Sequence, residues 1–535
     1  MVNEKFRFRV LLVLVCLLAG TVFFWQLGTR PLENWDEGIH ASVTLETVQR
    51  HAWIDLSYRD AYYTAKPPLK FWLTAPLFML FGASEWTARF WSALAGVGTA
   101  LLLSLWIWQW QRKTWSALLA ALLFITLRAN FFHAFRTGET DGLMVFFTVL
   151  ALWAYWKSWA KKQYWWLVGI GIGFAFMTKP IGGILPMLII GTDVIVGWRW
   201  STLPWKHIGF AAFGAAVVAL PWHIVESIRH GSDFWNSFVG FHVIDRANEV
   251  LYKNYVPWWW YWTILKLRAF PYVPFIVLGT LIGGWRWIRQ RDALDRLLIA
   301  WIAVVGIMFT LVQTKFDWYI LPLYPAAILL FTRSCVHMLE RNGTVLRMLF
   351  LAAFGWAIFL LPSGLAENGN LWKLTPYVYL PTISSADWAQ RLFVSVVSAA
   401  VVLFVFFACR RCVPRRAFVL TGSLILAFFI FLAAAWQLSY FRHSSYQTSL
   451  KSIADFAARH SLRRLDAVDA DLLHQPALYF YLRRIPGLQL NELRSGSQTT
   501  SSYVLTREAS LMSLSTPCCA ILTAGAHMLL EQPTR

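Results

Sequence analysis

The sequence predicts a mainly α-helical, polytopic membrane protein of about 13 transmembrane helices, followed by a small C-terminal α/β domain. Three observations predict it. Of the 535 residues, 58% are hydrophobic and only 14% are charged, against roughly 25% charged in a soluble domain. Long apolar runs recur along the chain. The charges between those runs alternate in sign from one loop to the next.

The first run, Val10 to about Leu27, follows Lys5, Arg7 and Arg9. It is long enough to span and lacks a small-x-small cleavage site, so it reads as an uncleaved first helix with a cytosolic N-terminus. Residues 28–70 form a loop with amphipathic pieces. A short apolar stretch, 72–82, lies at the interface or crosses. Spans are then expected near 88–110, 115–132, 142–158, 164–178, 181–197, 207–228, 272–287, 297–313, 319–333, 346–362, 391–409 and 417–436.

One set of loops holds Arg112-Lys113, Lys161-Lys162, Arg199, Lys206, Arg286-Arg289-Arg291, Arg341, Arg347 and Arg410-Arg411. The alternate set holds Asp36-Glu37, Glu139, Asp141, Asp233, Asp245, Glu249, Asp317, Glu367 and Asp387. By the positive-inside rule the basic loops are cytosolic and the acidic loops lie outside. The net charge of +20 is thereby a matter of topology, and nucleic acid is not expected as a partner. The 32 Trp, such as Trp106, Trp108, Trp110 and Trp115, suit an interfacial belt. Cys409 and Cys412 frame two arginines in a basic loop and read as structural, not as a metal site.

The chain divides into 1–439, the membrane domain with extracytoplasmic loops 28–70, 133–142, 229–257 and 314–319, and 440–535. In the second part the composition turns soluble. Helix-like Ser449–His460, strand-like Leu465–Ala470, a helix near Gln475–Leu482 and strands at Ser502–Thr506 and Ala520–Thr523 read as an α/β domain.

The polar clusters fall in the acidic loops, where ionisable groups near a bilayer are costly and mark function. Asp36 and Glu37 begin a helix. Either could serve as a general base or hold a divalent metal, and either could simply complement the helix dipole. Lys66 precedes two prolines that fix the start of a helix. It suits a phosphate ligand or a snorkelling lysine. Arg136 to Asp141 lies between two spans, with Asp141 as a catalytic carboxylate or a helix cap. Arg246 follows His242 in the fourth cluster. The fifth, Lys315-Phe-Asp317-Trp-Tyr319-Ile-Leu-Pro322, again sets a cation and an aromatic at a helix start.

These residues in this order resemble the protein mannosyltransferase-like glycosyltransferases of GT-C fold, and among them the bacterial aminoarabinose lipid A transferases. The likeness runs through Trp35-Asp36-Glu37-Gly38, Trp53, Lys66-Pro67-Pro68, Trp72, Arg136 to Asp141, Thr178-Lys179, the Arg246 loop, the Lys315 motif and Ala477-Leu-Tyr-Phe-Tyr-Leu-Arg-Arg. It implies transfer of a sugar, with inversion, from a polyprenyl-phosphate donor to a lipid A, glycan or protein acceptor outside a bacterial inner membrane. Asp36 becomes the base or acceptor-positioning group, and Asp141 the second aspartate. Lys66 becomes a donor-phosphate ligand. Arg59, Arg246 and Lys315 are further phosphate candidates, and Arg136 and Tyr319 further substrate contacts. A metal, if held, would involve Asp36 or His242. Two features depart from the family. Ala65 stands where a metal-holding Glu often precedes the lysine, and His242 is not at the expected spacing from Arg246. A transporter of a lipid-linked or anionic substrate is the alternative. It would need charges buried mid-span and repeat symmetry.

Overall fold

The computed structural model describes residues 4–250, 256–270, 272–340, 445–468, 475–493, 503–507, 519–524 and 527–531. The expected spans at 346–362, 391–409 and 417–436, and the Cys409–Cys412 pair, lie outside the described residues.

The apolar runs become helices. Helix α1 is Glu4–Phe24, and α2, Asp36–Arg50, follows a short loop. A two-stranded hairpin, β1 (Ser57–Tyr58) with β2 (Ala61–Tyr62), leads to α3, Leu69–Phe81. Then come α4 (Glu85–Gln111), α5 (Thr114–Ile125), α6 (Asp141–Ser158), α7 (Trp165–Thr178) and α8 (Pro180–Val196). Helix α9, Trp205–Trp235, bends at Gly231, whose φ of 52° is open to glycine. It continues as a π-helical segment, Asn236–Asp245, into a short α10, Arg246–Asn248. Helices α11 (Trp260–Arg268), α12 (Val273–Gln290), α13 (Ala293–Leu311) and α14 (Leu323–Glu340) complete the described membrane part.

Against the thirteen crossings expected, four described helices are long and apolar enough to cross: α1, α4, α9 with its extension, and α13. The α11–α12 pair, bent by 115°, makes a fifth if it forms one span. Helices α3, α5 and α8 are apolar but shorter. The aromatic content is only partly an interfacial belt. Trp115 is exposed, but Trp106 is fully buried and stacks on the equally buried Trp301 with centroids 6.4 Å apart. Phe23, Phe124 and Phe135 pack in the same core.

The C-terminal segment forms an α/β unit. Helices α15 (Ser445–Arg459) and α16 (Pro476–Arg483) accompany a five-stranded sheet of order β4-β3-β5-β7-β6. Its strands are β3 (Arg464–Val468), β4 (Gln489–Leu493), β5 (Tyr503–Arg507), β6 (Cys519–Ala524) and β7 (His527–Glu531). Strand β3 pairs in parallel with β4 and β5, while β7 runs antiparallel to β5 and β6. Strands β4 and β7 have no counterpart in the sequence reading. Gln489–Leu493 carries Asn and Glu where a buried strand would be apolar.

This unit shares one core with α2. Leu32, Ala41 and Leu45 pack with Ile453, Leu478 and Phe480. Gly38 makes the contact possible, because a Cβ there would fall 2.5 Å from the Ala477 nitrogen. The Tyr481 hydroxyl accepts from the Leu32 N–H at 2.7 Å and donates to Glu85 at 3.1 Å. Asn34 bonds Gln475 at 2.5 Å and accepts from the Ala477 N–H at 3.2 Å. The α/β unit thus grips the loop that leads into α2.

Candidate active site

The first turn of α2 carries two adjacent carboxylates with different partners. The Glu37 side chain is completely buried and takes a bidentate pair from Arg89 at 2.7 and 2.8 Å. Its oxygens also accept the Glu33 and Gly138 N–H groups, each at 2.6 Å. Arg89 donates further to the Leu27, Arg30 and Pro31 carbonyls at 2.8–2.9 Å. This one pair locks α4 to the loop before α2 and to the 133–140 segment.

Asp36 is left free of Arg and Lys ion pairs among the described residues. It enters a small cleft whose charged lining is Asp36, Lys66, Lys179 and Arg246. Trp35, Phe316, Trp318 and Tyr319 form the aromatic part. Trp35 has φ 106° and His133 φ 53°. Backbone strain of this kind costs about 1–3 kcal/mol and collects at functional sites.

The three cations arrive by three local devices. Pro67-Pro68 fixes the chain after Lys66. Lys179 occupies an extended residue between α7 and α8, with Pro180 starting the next helix. Arg246 ends the π-helical run, and such runs frequent functional sites. Lys179 pairs with Asp141 at 2.9 and 3.1 Å and sits 5.5 Å from the Tyr319 ring centroid. Arg246 hydrogen-bonds the Tyr319 side chain. The aromatic wall is anchored by Asp317, which accepts from Arg268 Nε at 2.9 Å.

The electrostatics follow from burial and neighbours. Burial alone would raise the Asp36 carboxyl, but Lys66, the histidines and Lys179 hold it well below the usual carboxylate range. Burial lowers the Lys66 ammonium to about 8 against the pull of Asp36. Burial also disfavours the Lys179 charge, yet Asp141 carries its pKa above the ordinary lysine value. Behind Asp36, His40 Nδ1 lies 3.2 Å from Glu139 and 3.3 Å from the Gly138 carbonyl. His133 lies 3.6 Å from Glu139 and 3.8 Å from Asp36, and stacks on Trp318 at 3.7 Å. Burial pushes Glu139 well up, His133 opposing, and pushes His40 down to about 4.

Of the residues singled out in the sequence, the fold brings Asp36, Lys66, Arg246 and Tyr319 to one cleft, with Asp141 one link behind Lys179. Five others lie elsewhere. Glu37 is engaged by Arg89. Arg136 donates to the carbonyls of Val22 and, at 2.6 Å, Trp25, holding the end of α1. The Arg59 N–H bonds Glu46 at 2.8 Å and its guanidinium lies over Tyr479, on the α/β side. Lys315 donates to the Val312 carbonyl at 2.6 Å. His242 lies on the π-helical segment, four residues before Arg246, outside the residues lining the cleft. The sequence reading missed His40, His133, Glu139, Lys179 and Trp318 as site residues. Two signals were present. Lys179-Pro180 repeats the Lys66-Pro67 pattern at a helix start, and His40 stands one helical turn after Asp36.

The family model described as dolichyl-phosphate-mannose-protein mannosyltransferase matches residues 65–224. An undecaprenyl phosphate-alpha-4-amino-4-deoxy-L-arabinose arabinosyl transferase of Serratia proteamaculans (strain 568) is 27% identical over 402 residues, which cover 72% of this chain and 71% of that protein. One of the same name from Edwardsiella ictaluri (strain 93-146) is 26% identical over 60% of this chain and 59% of the relative. The solved structure of ArnT from Cupriavidus metallidurans in the apo state superposes with a TM-score of 0.71 at 18% identity, covering 99% of this chain and 98% of that one. Its form bound to undecaprenyl phosphate gives 0.70 at 17% identity, over 97% of each chain. In sequence the chain is similar to the bacterial aminoarabinose transferases, with a mannosyltransferase-type match over residues 65–224, and in fold it is similar to ArnT.

Proposed function

We propose that this chain is an integral-membrane glycosyltransferase that moves a sugar from a polyprenyl-phosphate donor to a lipid acceptor of the bacterial cell envelope. The observation that carries the proposal is the convergence of Lys66, Lys179 and Arg246 with Asp36 in one aromatic-walled cleft. The relatives carry the name of an undecaprenyl-phosphate-sugar transferase, and one solved neighbour holds undecaprenyl phosphate.

In this reading the three cations take the donor phosphate and stabilise it as it leaves. The acceptor oxygen attacks the anomeric carbon from the opposite face, the carbon–phosphate oxygen bond breaks, and polyprenyl phosphate departs with the configuration inverted. Asp36 accepts the proton of an acceptor hydroxyl, or orients an acceptor that is already a phosphate. Asp141 acts through Lys179 by fixing its position. Glu37, Arg136, Arg59 and Lys315 serve the scaffold. The transporter alternative needs charges inside the spans. The cleft residues Trp35, Lys66, Lys179, Phe316 and Trp318 instead come from segments between long helices.

The test uses purified protein in detergent with a panel of polyprenyl-phosphate sugars, following free polyprenyl phosphate by mass spectrometry. Release with one donor, dependent on a lipid A-type acceptor, supports the proposal. Release only when a glycan or protein acceptor is supplied moves the acceptor class. No release with any donor, with or without envelope extract, removes the transferase reading.

The value near 8 for Lys66 gives a pH signature. Below it the ammonium is charged and binds phosphate. Above it the charge is lost, so the donor KM is expected to rise, by up to about tenfold per pH unit. Lys66→Arg keeps its charge throughout and should flatten the profile. A flat wild-type profile between about pH 7 and 9.5, or an equal slope in the arginine variant, would argue against phosphate contact.

For placement, the proposal keeps thirteen crossings in the inner membrane, a cytosolic N-terminus, and the cleft and residues 440–535 outside. The alternating loop charges support it. An alkaline phosphatase fused after Arg535 should be active, and a green fluorescent protein fused there dark. The reverse pattern would invert or break the topology.

A further inference from the structure

A second group of ligand-type side chains lies where the loop after α2 and the β1–β2 hairpin meet the C-terminal end of α9. We propose that Asp55, Glu226 and His230 form a binding site for one divalent cation of the zinc class. Each offers a ligand atom, and these atoms lie within 4.8 Å of one another. None of the three lines the cleft around Asp36, and the transfer reading gives them no part.

Glu226 and His230 stand four residues apart on one face of α9. The Glu226 side chain is fully buried, and its Oε1 has no hydrogen-bond partner among the described residues. Its other oxygen, Oε2, accepts from the Tyr62 hydroxyl and lies 3.8 Å from His230 Nε2. No Arg or Lys forms an ion pair with Glu226 among the described residues. The neighbouring Arg229 turns instead to Asp55 Oδ2, at 2.6 Å. A buried carboxylate so placed is costly without a cation beside it. His230 Nε2 lies 3.1 Å from Asp55 Oδ1. A proton on Nε2 joins these two atoms, and a divalent ion binding there would replace it. The outer partners divide each carboxylate in the same way. Arg229 holds Asp55 by one oxygen and leaves the other facing His230, and Tyr62 holds Glu226 by Oε2 and leaves Oε1. Tyr62 also stacks on the His230 ring with centroids 4.1 Å apart, which fixes the plane of the imidazole. Outer groups of this kind orient the ligands of metal sites. One imidazole with two carboxylates suits zinc better than calcium, which prefers an all-oxygen shell. Asp55 and His230 are partly exposed, which gives the ion an entry path.

The ion would cross-link two stretches that each run on to a cation of the cleft. Asp55 and the hairpin precede Lys66, and α9 continues through the π-helical segment to Arg246. The same two stretches already meet where Trp222 donates to the Ile54 carbonyl at 3.2 Å and where the Thr64 and Ser237 hydroxyls hydrogen-bond. Gly231, the bend in α9, follows His230 directly, so the ion would brace the last turn before the bend. On the transfer reading it would hold Lys66 and Arg246 at a fixed spacing without touching the substrate. That consequence rests on the transfer reading, whereas the site itself does not.

Binding is read directly, without turnover. Full-length protein in detergent, stripped with a chelator, is titrated calorimetrically with zinc chloride alone, and bound metal is counted by mass spectrometry. The wild type is expected to take up one zinc that Glu226→Gln, His230→Asn and Asp55→Asn each lose or hold about 10- to 100-fold more weakly, while Asp36→Asn keeps it. A zinc K-edge spectrum of the loaded wild type should show nitrogen and oxygen ligands with imidazole scattering. Asp55 is partly exposed, so its variant and the edge spectrum decide even where a Glu226 variant fails to fold. No zinc on the wild type, equal affinity in a folded variant, or sulfur ligation overturns the site. Zinc lost in Asp36→Asn but kept in the other three would put the ion in the cleft and overturn it equally. A wild type that takes no zinc yet releases polyprenyl phosphate sinks this inference and leaves the transfer reading standing. One that binds zinc at these residues but releases nothing does the reverse.

Discussion

Asp36→Asn is expected to lower sugar transfer by roughly 10²- to 10⁴-fold, the usual contribution of a positioned proton acceptor. The carboxylate is held ionised by Lys66 and the nearby histidines despite its burial. It makes no ion pair with Arg or Lys among the described residues, so its charge is available to a substrate. Asparagine keeps the shape and the helix start but loses the charge. The fold of this region rests on Glu37, Arg89 and the α/β unit, so expression and detergent stability should stay near wild type. If the acceptor nucleophile is a phosphate, the loss should lie at the lower end and show chiefly in the acceptor KM. A steady-state assay with saturating donor separates the two. Wild-type rates in the variant would remove Asp36 from the chemistry.

Arg89→Met should produce the largest loss of stability, about 3–5 kcal/mol, as for other buried pairs broken on one side. Its guanidinium makes five hydrogen bonds, two to Glu37 and three to backbone carbonyls of residues 27, 30 and 31. Removing it strands the Glu37 charge in a site with no exposure. The double variant Arg89→Met, Glu37→Gln should recover part of the loss, because the stranded charge is gone. Thermal unfolding in detergent measures both. A single-variant midpoint within about 1 °C of wild type would refute the anchoring role.

The sequence made the helices and the general position of the site legible, because apolar length and loop charge are local properties. It also singled out Lys66 and Arg246, which line one cleft in the structure, since a cation beside a membrane span needs a reason. It could not separate Asp36 from Glu37. Both are acidic residues in one helical turn, and only the position of Arg89, 52 residues later, assigns one to the scaffold. Arg136 and Lys315, expected as substrate contacts, donate to backbone carbonyls in the structure. A cation at the end of an apolar run can bind a substrate or cap a neighbour's carbonyls, and the choice depends on packing. Lys179 and Glu139 were given no role in the sequence because they look like ordinary loop charges until the packing of α6, α7 and α8 sets Lys179 in the cleft lining and Glu139 beside His40. Strands β4 and β7 were hidden by polar residues and short length.

The grip of the C-terminal unit on the start of α2 bears on the timing of synthesis. Leu32 and Tyr481 are 449 residues apart. At about 5–20 residues per second, roughly 20–90 s pass on the ribosome between them. Through that interval the first loop is already made and placed, but its clasp is not. A nascent chain, or one cut before Gln475, lacks every contact that Gln475, Ala477 and Tyr481 supply to residues 32–38. The C-terminal unit thus finishes a much earlier part of the site, so a chain cut before Gln475 cannot hold that loop in its final form.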